Sequence, residues 1–249
     1  MENIEEVKVK EKLDLGPVWK HLAFVGIGWL GLSLIASIVA VIGESIIGKD
    51  ITQGQQIGLN VAINLISYIL VAIIMLVISL KDVFSKIIEQ FKEKHALIDG
   101  IVYGFLLLGA GAAISVVTTW LFGETDVNSN QSAIEKMTEN YPISLVIMTV
   151  ILAPIVEEFT YRLGVFNLLR RKNRWVAYGV SALVFGFIHF DFSADTAAAL
   201  KTELINIPSY IISGLILCRA YEKHQNIATS IIAHAINNGI AILSLLLLS

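Results

Sequence analysis

Seven apolar stretches, at about 19–47, 57–80, 97–122, 143–169, 175–190, 203–219 and 227–248, alternate with short polar segments along the chain. A membrane-crossing helix needs roughly 20 predominantly apolar residues, and all but the fifth stretch reach or approach that length. The fifth is short and extends at most to Phe192. No stretch alternates apolar with polar as a barrel strand does, and open strands would leave edge N–H and C=O groups unsatisfied in lipid. The pattern predicts an all-α polytopic membrane protein of seven spans. A polar tail at 1–18 precedes a single transmembrane domain at 19–249, with no repeat or linker to divide it.

Two polar segments have patterns of their own. "DVFSKIIEQFKEKH" places Phe84, Ile87, Ile88 and Phe91 on one helical face, as expected of a helix in the membrane interface or of a connector packed on the domain. "GETDVNSNQSAIEKMTENYP", residues 123–142, reads as an external loop without chemistry. The opening "MENIEEVKVKEKLDLGP" is too long and too mixed in charge for a signal n-region. The first apolar stretch is therefore expected to stay as an anchor.

Composition agrees: 55% of the 249 residues are hydrophobic, 16% are charged, and the mean hydropathy is +0.72, more apolar than soluble domains. The formal net charge of -3 and the lack of a basic run interleaved with aromatics exclude a nucleic-acid partner. The one cysteine, Cys218, excludes an internal disulfide and a cysteine-rich metal site. Charge also orients the chain, because short cytoplasmic loops carry the Lys/Arg excess. Fourteen Lys/Arg fall in the tail through Lys20, the 81–96 loop, "RRKNR" and 219–226, against Lys49, Lys136 and Lys201 in the alternate loops. The expected placement is a multi-pass protein of the cell membrane, with the N-terminus cytoplasmic and the C-terminus external.

The chemistry lies where the chain should be apolar. Ionisable groups in membrane helices cost roughly 2.5–3.5 kcal/mol each on insertion scales and by default are functional. The fourth stretch holds Glu157, Glu158 and Arg162, the fifth His189, and the seventh His234 and Asn238. Residues four apart share a helix face, so Glu158 can pair with Arg162, and His234 and Asn238 project from one stripe. Glu157 points elsewhere, with Tyr161 its one candidate contact on the helix. At about 1.5 Å rise per residue, Glu157 lies roughly 20 Å from Arg170 and His189 about 21 Å from Trp175. His234 and Asn238 lie about 10 and 17 Å from Ile227 by the same rise. The groups can meet near the membrane midplane. A desolvated glutamate beside a histidine can activate water, and further donors can receive an oxyanion. Peptide hydrolysis is thus chemically coherent, and Glu157 with His189 and His234 is also a plausible zinc triad. Pro154 is read as a kink that frees the carbonyl of Val150.

"EEFTYR", "FGFIH" and "HAINN" fit EExxxR, FxxxH and HxxxN motifs in order. The chain thereby resembles the CPBP family of intramembrane proteases, the CAAX protease and bacteriocin-processing (Abi) family, over about 143–240. Position by position, the resemblance implies Glu157 as the water-activating glutamate and His189 as its partner. His234 and Asn238 are implied as the oxyanion pair, with Glu158 and Arg162 as supporting residues. The family core is often drawn with eight helices, one more than the seven stretches counted. The implied activity is an intramembrane endopeptidase. No cofactor is expected, although the family was first classed with the metalloproteases and zinc on Glu157, His189 and His234 is the alternative. A chain of this character reads as bacterial, where prenylated proteins are not expected, so the expected partners are the bilayer and a membrane-associated peptide or protein substrate. Three other readings compete. Glu158 with Arg162 can be a packing salt bridge. The fold can serve as a non-catalytic immunity or regulatory scaffold. A transporter would show repeat symmetry or paired broken helices, which are not found. Oligomeric state is not readable from the sequence.

Overall fold

The protein is seen in a computed structural model that describes residues 17–48, 51–80, 83–123 and 126–248. Lys8, Lys10, Lys12, Lys49 and Lys81, which contribute to the charge-based orientation, lie outside those residues. The described residues form nine helices and no strand: α1 (Val18–Ile47), α2 (Gln53–Ser79), α3 (Phe84–Lys92), α4 (Lys94–Phe122), α5 (Ser129–Asn140), α6 (Pro142–Arg170), α7 (Arg174–Phe187), α8 (Ala197–His224) and α9 (Ile227–Leu248). Six of them are long and apolar enough to cross a membrane. The bounds follow local chemistry. Thr52 and Gln55 form a capping box at α2, and Asn128, Asn173 and Thr196 accept backbone N–H bonds at the starts of α5, α7 and α8. Pro142 opens α6, and Gly48 and Gly123 end α1 and α4 at positive φ.

Two expectations need correction. The fifth span does not run to residue 190: α7 stops at Phe187 after 14 residues, about 21 Å and short of the roughly 30 Å hydrocarbon core. Residues 188–196 continue as turns and bends. The supposed external loop contains α5, whose N-cap Asn128 supplies the signal that polar composition had hidden. The amphipathic segment does form a helix, α3, but Ile87 is buried while Ile88 and Phe91 stay exposed.

Half of the apolar window of α6 is buried, against 6% in α1, so α6 is the central helix and α1 lies largely against lipid. Close packing around it uses glycine. A Cβ on Gly100 would lie 2.6 Å from Ile232 Cγ2, and one on Gly104 2.7 Å from Ile236 Cγ2, so α4 and α9 approach through a small-xxx-small notch. Gly214 and Gly186 do the same between α7 and α8, and Gly28 of α1 sits directly against the Thr160 side chain of α6.

Basic residues gather at one end of the bundle. Arg170 and Arg174 reach the buried Glu222 at 2.7 and 2.8 Å, Lys223 and His224 reach Asp99 at 2.9 and 2.6 Å, and Arg171 contacts His21. Asn226 and the backbone N–H of Ile227 bond to Glu93 and Gln90, so α3 is stitched onto the start of α9. Polar contacts of α5 with α8 and with residues 188–196 occupy the opposite end. Cys218 is fully buried, a small core residue.

Candidate active site

Two π-helical segments, Ile147–Leu152 and Phe159–Phe166, interrupt α6 on either side of 153–158, and such bulges frequently mark functional sites. The first has a definite cause. Ala153 N–H bonds five residues back to Met148. Pro154 would follow by bonding to Thr149 but has no N–H. The missing π bond leaves the Thr149 carbonyl without its intrahelical donor. Asn238 Nδ2 of α9 donates to it at 2.9 Å. An α-helical period points to Val150; the π period adds Thr149, and the partner that satisfies the Thr149 carbonyl is one of the motif residues.

Immediately past this break, Glu158 and Arg162 pair at 3.0 Å with both side chains fully buried. The pair has further partners. Arg162 Nη2 donates to the Gly214 carbonyl of α8 at 3.1 Å, and its guanidinium lies 4.8 Å from the Phe185 ring centroid. Glu158 Oε1 also accepts from His234 Nδ1 at 3.0 Å. A carboxylate only accepts, so Nδ1 carries the proton and the tautomer of His234 is set by Glu158. Arg162, Glu158 and His234 form one dry chain across α6 and α9. Glu158 and Arg162 thus do more than fix a helix, since one end of their chain is the imidazole itself.

Glu157 takes a different course, as the 100° step between neighbours requires. It makes no hydrogen bond among the described residues: Oε2 is buried and unpartnered, 3.8 Å from His234 Nε2. Tyr161 makes no hydrogen bond to it, and that hydroxyl accepts from Trp29 at 3.2 Å. His189 lies not within a helix but in the turn after α7, where its Nδ1 donates to the Phe185 carbonyl at 2.8 Å. Its Nε2 is then left as the lone-pair nitrogen.

Glu157, His189, His234 and Asn238 all line one cavity of about 520 Å³. The four side chains that helical rise placed near one another thus share one cavity. The same cavity has residues that the sequence reading passed over: Tyr68 of α2, Asn128 and Gln131 at the start of α5, Tyr210 and Ser213 of α8, and Asn237. A signal was present for some of them. Asn206, Tyr210 and Ser213 recur at helical spacing inside an apolar span, which marks a wet face. Among the described residues no group of three His, Cys, Asp or Glu side chains is placed to hold a metal ion. Glu157, His189 and His234 therefore share a cavity without converging as a ligand set.

Comparison with known proteins points the same way as the motifs. Residues 139–240 match the family described as type II CAAX prenyl endopeptidase Rce1-like. The chain is 27% identical over 195 residues to the membrane-embedded CAAX protease MroQ of Staphylococcus aureus strain USA300, covering 74% of each protein. It is 23% identical over 138 residues to the UPF0177 protein YvdC of Lactococcus lactis, covering 55% of this chain and 49% of that one. A third relative, an uncharacterized protein of Mycoplasma capricolum, is 24% identical over 194 residues, with 74% and 54% covered. The chain thus spans about half the length of two of these three relatives. No solved structure matches it.

Proposed function

Because residues 139–240 belong to the Rce1-like CAAX prenyl endopeptidase family, we propose that the chain is an intramembrane endopeptidase that hydrolyses a peptide bond of a membrane-associated peptide or protein. The observation that carries this reading is the unpartnered, buried Oε2 of Glu157, facing the cavity 3.8 Å from His234 Nε2. A polar gap of that width is where a bridging water fits. Among the described residues the other buried carboxylates are tied down through at least one oxygen, Glu158 to Arg162 and Glu222 to two arginines, and the second oxygen of Glu158, though also unpartnered, belongs to a residue that does not line the cavity. A carboxylate kept free at the wall of a cavity is a base awaiting a proton.

In this reading Glu157 removes a proton from water, and the lone pair of His189 Nε2 is the second acceptor that holds and relays it. The water oxygen attacks the substrate carbonyl carbon, and the oxyanion forms on the side of α9. For His234 to donate there through Nε2 while Nδ1 donates to Glu158, both ring nitrogens must carry protons. Asn238 gives one amide hydrogen to Thr149 and has a second for the oxyanion. The proton held by Glu157 and His189 then passes to the leaving nitrogen as the C–N bond breaks. The buried chain Arg162–Glu158 keeps His234 in register and supplies no proton of its own. We further propose that the end bearing Arg170–Arg174 and Lys223 faces the cytoplasm.

The test is cleavage of a quenched fluorogenic peptide pool by purified protein in vesicles. Glu157→Gln and His189→Ala are each expected to reduce turnover by at least about 100-fold, within the range of general-base loss. Activity within a few-fold of the parent would remove both residues from the reaction. A phenotype in cells that survives Glu157→Gln would favour the scaffold reading.

A further inference from the structure

His189 carries a role that its backbone is poorly placed to support, since it follows the last turn of α7 and lacks the restraint of a continuing helix. Its hydrogen bond from Nδ1 to the Phe185 carbonyl fixes the tautomer and one axis. A single bond leaves the ring free to swing about that axis, carrying Nε2 toward or away from Glu157. The Phe185 ring packs 5.1 Å from the imidazole but inclined by 52°, and what sets the plane is Tyr210 of α8. Its ring lies nearly parallel to the imidazole, with centroids 4.4 Å apart and planes inclined by 10°. The tyrosine is held in turn, because its hydroxyl accepts from Asn128 Nδ2 at 3.1 Å and from Asn130 Nδ2 at 3.3 Å. Both amides belong to the start of the α5 segment, which Ser129 ties independently to Glu203 of α8 through its backbone N–H at 2.9 Å.

We propose that Tyr210 is a positioning residue for His189: its ring face sets the plane of the imidazole, and Asn128 and Asn130 set the ring. This rests on the protease reading for its consequence in turnover, but not for the placement itself. Residues 128–130 then belong to the active site through a two-step relay of contacts. Tyr210 need not touch substrate to act in this way.

The experiment separates ring face, hydroxyl and bulk. Tyr210→Phe keeps the ring and loses the hydroxyl, while Tyr210→Leu keeps apolar volume and loses the face. The first readout needs no substrate: the rate at which diethyl pyrocarbonate modifies His189, measured by mass spectrometry relative to the exposed His95 in the same molecule. Release of the ring by Tyr210→Leu is expected to change that ratio at least about fivefold, whereas Tyr210→Phe leaves it within about twofold. The second readout is turnover of the fluorogenic peptide pool. Tyr210→Leu is expected to lower kcat at least about tenfold with KM within about threefold, and Tyr210→Phe to keep at least about a third of kcat, because misplacement of a catalytic group acts on the chemical step. Equal effects of Leu and Phe, or no effect of Leu on His189 reactivity, overturns the proposal. Should Tyr210→Leu fail to fold, Tyr210→Met, which likewise lacks a ring face, must change the ratio at least about fivefold, and the Asn128→Ala, Asn130→Ala double variant, which like Tyr210→Phe loses the amide–hydroxyl bonds but keeps the ring, must match Tyr210→Phe for the proposal to stand. If the parent cleaves no peptide, the protease reading fails, and His189 reactivity alone decides the positioning.

Discussion

Removing the guanidinium of Arg162 should be among the most damaging single changes in the molecule. The side chain is fully buried and serves three neighbours: Glu158 Oε1 at 3.0 Å, the Gly214 carbonyl at 3.1 Å and the face of Phe185 at 4.8 Å. Arg162→Ala leaves Glu158 as a buried carboxylate with only His234 beside it. Breaking a buried pair in this way costs about 3–5 kcal/mol. For a chain of this size about 1 kcal/mol corresponds to roughly 2–4 °C, so the melting temperature should fall by about 6–20 °C. Glu157→Gln is the control, because Glu157 has no hydrogen bond to lose, and a change of less than about 1 kcal/mol is expected of a substitution that breaks no network. A second control distinguishes the lost charge partner from lost volume. Arg162→Met combined with Glu158→Gln removes both charges and should recover part of the loss, since replacing a buried pair by neutral groups is often near neutral. The assay is thermal unfolding in detergent followed by intrinsic tryptophan fluorescence, with all variants at one protein and detergent concentration. Equal melting temperatures for Arg162→Ala and Glu157→Gln would refute the reasoning, and so would a double variant less stable than Arg162→Ala alone.

Two further outcomes follow from the site and the ends of the bundle. In a Cys218→Ser background, single cysteines at Lys92 and Lys172 should react with a membrane-impermeant maleimide only from the cytoplasmic side and one at Glu139 only from outside; an external label at Lys172 would reverse the assigned orientation. Protein dialysed against a strong chelator should keep most of its turnover and contain well under one metal ion per chain; stoichiometric zinc, with activity lost on chelation and restored by zinc, would make Glu157, His189 and His234 ligands after all.

The sequence disclosed the long apolar helices because each satisfies its backbone bonds within itself and run length and polarity suffice to find them, whereas the polar α5 gave no such signal. It also disclosed the pair Glu158 and Arg162, since an i, i+4 relation is local. The link from Glu158 to His234 joins residues 76 positions apart, and no spacing rule reaches across helices. The π register of α6 was equally hidden. Pro154 announces a break but not the register around it, and the π register leaves the Thr149 carbonyl free and gives Asn238 its partner. Tyr210 was passed over for a related reason: a tyrosine in an apolar helix reads as packing until the ring stacked on it is seen to be His189.

The short α7 brings these points together. A full-length fifth span would have placed His189 on a helix flank with its backbone N–H and C=O spent on the helix and its side chain fixed by rotamer alone. Ending α7 at Phe187 instead turns the chain into residues 188–196, and irregular backbone at that depth survives only where it lines a cavity or meets protein partners. It meets both. His189 lines the cavity, and the buried Glu203 of α8 accepts the backbone N–H of Asp191 at 3.2 Å through one oxygen and that of Ser129 at 2.9 Å through the other. One carboxylate thus replaces the hydrogen bond that a longer α7 would have given Asp191, satisfies an orphan N–H in the first turn of α5, and joins the segment after α7 to the start of α5. Ser129 Oγ adds a bond to Asp191 at 2.9 Å in the same place. The break that frees His189 for the cavity is therefore repaired by the same α5 entrance that holds Tyr210 over it, which ties the order of that outer segment to the geometry of the site.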